Sequence, residues 1–176
     1  MTGKASEYEI APACWPQDTD QARSLLTNYG KYLASSPSGA AGVCIPGYEA
    51  ELRGLPGKYA VEEADLLLAR VMGEGKGEGA GCVAITRRVL ADGTDGAEMK
   101  RLWVEPRFRG HGLGRRLVIG AIDWARAHGC SAVVLDTVNE AMPEAAELYL
   151  SFGFEEITRF NENPIPGVRF YKLLLR

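Results

Sequence analysis

Arg109-Gly110-His111-Gly112-Leu113-Gly114 follows a strand-like run, Met99 to Val104, and opens an amphipathic helix. Alternate glycines between a strand and a helix leave backbone N–H groups uncovered by side chains. The helix N-terminus adds further unpaired N–H groups and the positive end of its dipole. Together these make a cradle for phosphate oxygens. Arg107, Arg109, Arg115 and Arg116 flank the cradle and point to a polyanionic partner.

Downstream of the loop, Leu113, Leu117, Ala121, Ile122 and Ala125 recur at helical spacing, His128 sits in the last turn and Gly129 is a C-cap. Ala132 to Leu135 is continuously apolar, as a strand covered on both faces should be. Strand, loop, helix and strand therefore form a β-α-β unit with parallel strands. Pro143 suits the first turn of another helix, whose apolar face is Ala145, Leu148, Tyr149 and Phe152 and whose end is Gly153. Phe154 to Thr158 and Val168 to Leu175 read as closing strands, joined through the turn-rich Asn163 to Gly167.

Upstream, Tyr8 to Ala11 is a short strand and Asp18 to Leu33 a helix. Ser35 to Gly47, rich in Ser, Pro and Gly, is a loop, and Tyr48 to Leu55 is a short helix closed by Gly54 and Pro56. Asp65 to Met72, Ala80 to Leu90 and Ala97 to Val104 are three strands. They are joined by the turns Gly73 to Gly79 and Asp92 to Gly96, an antiparallel meander.

The 176 residues suit one domain, 1–176, with 46% hydrophobic and 24% charged residues, ordinary for a globular protein. A net charge of −3 argues against general nucleic-acid binding. No apolar run reaches membrane-span length and the start lacks a signal-peptide pattern. The cysteines Cys14, Cys44, Cys82 and Cys130 show no C-x-x-C spacing, and the chain has only two histidines, His111 and His128. No metal is expected, and reduced thiols in a cytoplasmic enzyme are the plain reading.

Three glycine-loop classes compete for the phosphate ligand. A P-loop requires G-x-x-x-x-G-K-[ST], which the chain lacks. A Rossmann site requires G-x-G-x-x-G, but Arg115 stands where the third glycine should be, and the unit comes late, after a meander. Asp136, at the end of the next strand, is the one feature in its favour. The third class fits best. Arg109-x-x-Gly112-x-Gly114 resembles the [QR]-x-x-G-x-[GA] signature of the GNAT superfamily of N-acetyltransferases. Glu98 to Pro106 looks like that family's fourth strand. Leu135-Asp136-Thr137, with Ala146 to Tyr149 and Phe152-Gly153-Phe154, is similar to its fifth strand and following helix. Leu55 to Ala60, Asn161 to Gly167 and Phe170 to Leu173 resemble one group of small bacterial members, so the resemblance covers essentially the whole chain.

The resemblance implies an α+β fold: a central, mixed but mostly antiparallel sheet with a β-α-β acetyl-CoA-binding unit and flanking helices. It implies that Arg109, Gly110, His111, Gly112, Leu113, Gly114 and Arg115 hold the CoA pyrophosphate. Leu102, Trp103 and Val104 would offer backbone groups to pantetheine, which pairs like an added strand where strands four and five splay. Tyr149 takes the place of the family's proton donor to the departing thiolate; by periodicity alone it would be core. The attacking amine must lose a proton, and Glu98 and then Asp136 are the candidate bases, directly or through water. Arg159, Asn161 and Asn163 are candidate substrate-binding residues. Many family members carry asparagine seven residues before the tyrosine, where this chain has Met142. Cys130 reads as core and His111 as surface. The implied reaction is acetyl transfer from acetyl-CoA to a primary amine of a small or amino-acid-like acceptor, in a possible homodimer. Protein N-terminal or lysine acetylation, and an acyl-CoA sensor without turnover, are the alternatives.

Overall fold

A computed structural model describes residues 7–36, 47–73, 75 and 77–176. Most of the expected Ser35 to Gly47 loop, Cys44 within it, and Glu74 and Lys76 of the glycine-rich turn lie outside the described residues.

Seven strands form one sheet in the order β1-β2-β3-β4-β5-β7-β6. β1 (Tyr8–Pro12), β2 (Ala64–Val71), β3 (Gly79–Val89) and β4 (Asp95–Val104) run antiparallel in sequence, so the expected meander gains β1 as its outer strand. β5 (Ala132–Val138) lies parallel to β4, and β7 (Val168–Leu174) and β6 (Glu155–Ile157) complete the sheet antiparallel. The β4–β5 connection carries α3 (Leu113–Ala127), and α4 (Pro143–Ser151) follows β5.

Helices cover both faces, which explains the unbroken apolar runs. In β2, Leu67 and Ala69 join the core under α3, whereas Leu66 and Leu68 join a second core with Leu25 and Leu26 of α1 (Thr19–Ala34) and Tyr48 of α2 (Tyr48–Arg53). β5 divides likewise, with Val133 and Leu135 on the α3 side and Ala132 and Val134 on the other, against Leu90. A period-two pattern vanishes when both faces are buried.

One irregularity in β4 shapes everything near the site. The β3–β4 register slips between Cys82, opposite Trp103, and Ala84, opposite Lys100, so one residue of β3 faces two of β4. Arg101 absorbs the extra length at φ 60, the left-handed region. The bulge resets the alternation: Met99 and Leu102 point to the α3 core, while Trp103 points to the α1 core. Gly81 lets the strands approach here, since a Cβ on it would lie 2.5 Å from the Trp103 carbonyl oxygen.

β4 and β5 pair only from Gly96 to Glu98 against Ala132 to Val134. Both strands then continue, β4 to Val104 and β5 to Val138, without further pairing to each other. The sheet opens at this point.

Candidate active site

At one end of the opening stands the glycine loop. Gly110 and Gly112 adopt φ 82 and φ 72, conformations that strain any side-chain-bearing residue. Gly112 is the N-cap of α3 and offers no side-chain cap, and the helix has no acidic residue in its first turn. The first helical bond inside α3 runs from the Arg116 N–H to the Gly112 carbonyl at 3.1 Å. The N–H groups of Leu113, Gly114 and Arg115 therefore have no intrahelical acceptor, and the dipole end is uncompensated. Gly110, His111 and Gly112 are exposed, while the Leu113 side chain is core. His111 leans on the Tyr8 ring at 5.5 Å between centroids.

The four arginines separate. Arg107 is ion-paired with Glu78, and Arg116 donates to the Tyr8 carbonyl at 2.9 Å. Arg109 lies over the rings of Trp103 and Tyr32, at 5.1 and 5.3 Å, with its Nε on the Val104 carbonyl at 3.2 Å. Arg115 lies over Phe152 and donates to the Ser151 hydroxyl at 3.3 Å. Arg109 and Arg115 are both exposed at the margins of the loop, and among the described residues neither has a carboxylate partner.

At the other end a cavity of about 350 Å³ fills the gap between β4 and β5. Glu98, Lys100, Arg101 and Leu102 form its β4 wall, and Asp136 and Thr137 its β5 wall. Tyr149 of α4 and Tyr29 of α1 reach into it, and the 161–165 loop closes it from outside. Trp103 and Val104 continue along β4 beyond this cavity, toward the glycine loop.

Tyr149 is 6% exposed. Burial pushes its phenol well above the ordinary tyrosine value, and the nearby Tyr29 and Asp136 push it further, so it holds its proton. Glu98 is crowded by cations: Oε2 accepts from Arg88 at 2.6 Å and Oε1 faces Lys100 Nζ at 3.1 Å. Asp136 meets neutral donors instead. Its Oδ2 accepts from Asn161 Nδ2 at 2.9 Å and Asn163 Nδ2 at 2.8 Å. The asparagine oxygens are also occupied, accepting the N–H groups of Asn163 and Ile165 at 3.0 and 3.1 Å. Arg159 stands outside the cavity, donates to the carbonyls of Asn161 and Asn163 at 3.4 and 2.7 Å, and lies over Phe170. The three expected acceptor-side residues thus form a chain of support behind Asp136.

Sequence matches agree with this geometry. The profile of the acetyltransferase (GNAT) family matches residues 46–154. An uncharacterized N-acetyltransferase of Schizosaccharomyces pombe is 33% identical over 170 residues, covering 97% of this chain and 96% of that protein. The chain belongs to the GNAT family of N-acetyltransferases. Solved structures share the fold. A GNAT-family acetyltransferase of Staphylococcus aureus Mu50 superposes with a TM-score of 0.73 at 17% identity, covering 96% of this chain and 99% of that one. The spermidine N-acetyltransferase of Vibrio cholerae, solved with CoA and spermine, gives 0.65 at 18% identity, covering 97% and 96%.

As a member of that family, the protein is an N-acetyltransferase enzyme. Among the described residues, no group of three or more His, Cys, Asp or Glu side chains could hold a metal, and no helix is long and apolar enough to cross a membrane. Several cavity residues carry no motif and escape a reading of the sequence. Tyr29 looks like one more apolar position of α1, and Tyr48 like the start of a short helix, yet both line the cavity. Arg101 is the least legible. It is buried and held by Glu51 of α2, with Nε to Oε1 at 3.3 Å and Nη2 to Oε2 at 3.1 Å, and it lies 4.8 Å from the Tyr48 ring centroid. Only a register slip between strands, unreadable from β4 alone, shows that Lys100 and Arg101 both serve the cavity.

Proposed function

We propose that this enzyme transfers the acetyl group of acetyl-CoA to the primary amine of a small or amino-acid-like acceptor by direct attack. The observation that carries the reading is the parting of β4 and β5 after Glu98 and Val134, which joins an exposed, glycine-lined helix N-terminus to a cavity holding Tyr149 and Asp136.

The loop from Arg109 to Arg115 fits a pyrophosphate: open N–H groups, an uncapped dipole and two marginal guanidinium groups. Leu102, Trp103 and Val104 lie on the stretch of β4 that has lost its β5 partner, so their backbone groups can take an added strand-like ligand. Bound acetyl-CoA supplies an acetyl thioester at the cavity. The N–C bond forms as the C–S bond breaks. In this reading a β4 backbone N–H, that of Leu102, polarises the acetyl oxygen. The proton leaving the amine goes to a carboxylate, and the departing sulfur takes one from Tyr149.

For the base, the surroundings favour Asp136, whose partners are neutral amides, over Glu98, whose oxygens already face two cations. Glu98 would act through water. Acetyl-CoA-dependent thiol release with a panel of amines and peptides tests the function, and peptide preference would overturn the small-acceptor reading. Asp136→Asn should lower kcat by about 100-fold or more, whereas Glu98→Gln should lower it by less than about 10-fold. The reverse pattern would move the role to Glu98. A cytoplasmic setting fits the free thiols of Cys14, Cys82 and Cys130.

A further inference from the structure

The cavity separates its charges. Arg88, Glu98 and Lys100 lie on the β3–β4 wall, where two cations share one carboxylate. That trio carries a surplus of one positive charge. Arg88 spends Nη1 on Glu98, rests 5.4 Å from the Phe160 ring, and leaves a buried Nε without a hydrogen-bond partner. Arg101, on the same wall, is engaged by Glu51 along one edge of its guanidinium, through Nε and Nη2.

The facing wall has the opposite balance. Asp136 has amide partners but no cation, and the exposed Glu162 lies on the same side. Lys100 and Asp136 each stand two residues past the last β4–β5 rung, Glu98 with Val134, on the two strands that border the cavity. They do not pair with each other: Lys100 turns to Glu98. Arg88, Lys100 and Asp136 are only partly buried, so charges of opposite sign on the two walls remain open to a ligand that spans the cavity.

We infer that the acceptor is a zwitterion, a free amino acid whose ammonium is drawn to Asp136 and whose carboxylate is taken by Arg88 and Lys100. This rests on the acetyltransfer reading of the same site and narrows it. An ammonium beside Asp136 is where the proton must be lost, so the charge that recruits the acceptor also takes its proton. A simple amine leaves the cationic wall uncompensated, and a polyamine meets it with like charge. A carboxylate satisfies it with charge-assisted bonds, each worth about 1.5–3 kcal/mol, or roughly 10- to 150-fold.

The test is thiol release by the purified chain with acetyl-CoA and matched triads of acceptors: an amino acid, its carboxamide, and the amine left by decarboxylation. The panel covers the common side chains. The expected result is a kcat/KM for at least one free amino acid about 10- to 100-fold above both of its partners. Arg88→Gln and Lys100→Gln should each raise KM for that amino acid about 10-fold and shrink its kcat/KM advantage over the carboxamide by about the same factor. Turnover of carboxamides, decarboxylated amines or peptides as good as that of free amino acids would overturn the zwitterion and leave the acetyltransferase standing. Absence of thiol release with every acceptor, together with no acetyl-CoA binding by calorimetry, would overturn both. If either variant fails to fold, the triads on the unmodified chain decide.

Discussion

Tyr149 shows how one residue can satisfy two readings. Its place on the apolar face of α4 is that of a core residue, and it is indeed buried and 5.8 Å from the Phe154 ring. It is also at the cavity wall, and burial keeps its phenol protonated. Burial keeps the proton on the phenol and also makes it a weaker acid, so the proposed donation draws on the basicity of the departing thiolate. Tyr149→Phe should lower kcat by about 10²- to 10⁴-fold while calorimetry finds acetyl-CoA affinity within about twofold. Unchanged turnover would remove Tyr149 from the reaction. Asp18 teaches the converse. By position it is an N-cap of α1, yet it makes no side-chain cap; its carboxylate takes the Cys14 N–H at 2.7 Å and pairs with buried Arg70 of β2. Asp18→Ala leaves that guanidinium buried without its carboxylate, and denaturant melts should show a loss of about 3–5 kcal/mol. A loss near the 1 kcal/mol typical of a cap would refute the pairing as the larger contribution.

At the scale of elements, the strand–loop–helix unit was almost fully legible. Strand, turn residues and helix periodicity are local properties, and Gly129 closes α3 as expected, at φ 73 with the Cys130 N–H on the Ala125 carbonyl at 3.0 Å. Boundaries moved by a residue or two: β4 begins at Asp95 and not Ala97, α2 ends at Arg53 and not Leu55. The arginines flanking the loop were less legible. Charge along the sequence suggested four phosphate ligands, but Arg107 and Arg116 have protein partners that arrive from β3's approach and from β1. The loop itself yields a sharp expectation. Gly112→Val forces a β-branched residue into the left-handed region and covers the N–H groups, at a cost of about 1–2 kcal/mol for the backbone alone. The Kd for acetyl-CoA should rise about 10-fold or more, with circular dichroism unchanged. Unaltered affinity would show that the pyrophosphate lies elsewhere.

For the whole molecule, α2 is tied to the sheet through Glu51. Burial pushes its carboxyl up, but Arg101, Lys58 and Tyr59 outweigh that and hold it at about 2, against an ordinary 4.5. Lys58 Nζ and the Tyr59 hydroxyl approach it at 2.8 and 2.6 Å. A folded pKa below the unfolded one means that Glu51 stabilises the fold fully above about pH 4.5 and loses that contribution as pH falls toward 2. The Tm advantage of the unmodified chain over Glu51→Gln should therefore be present near neutrality and shrink across that window. A difference that stays constant with pH would show that Glu51 acts by shape and not by charge. Arg101 and Tyr48 also line the cavity, so acid should loosen α2 and the cavity wall together.

The sequence by itself determined the β-α-β unit, the glycine loop and the position of Tyr149 on its helix. These depend on short-range spacing, turn chemistry and helix periodicity, which a single chain displays in order. It also showed two-faced burial, because strands covered on both sides lose their alternation. Only the tertiary structure decided what surrounds the cavity. The bulge at Arg101, the pairing of Glu98 with two cations, the asparagine support of Asp136 and the entry of Tyr29 and Tyr48 join residues from β3, β4, β5, α1, α2 and the 161–165 loop. Contacts of that kind depend on register and on which elements converge, and no local pattern records either.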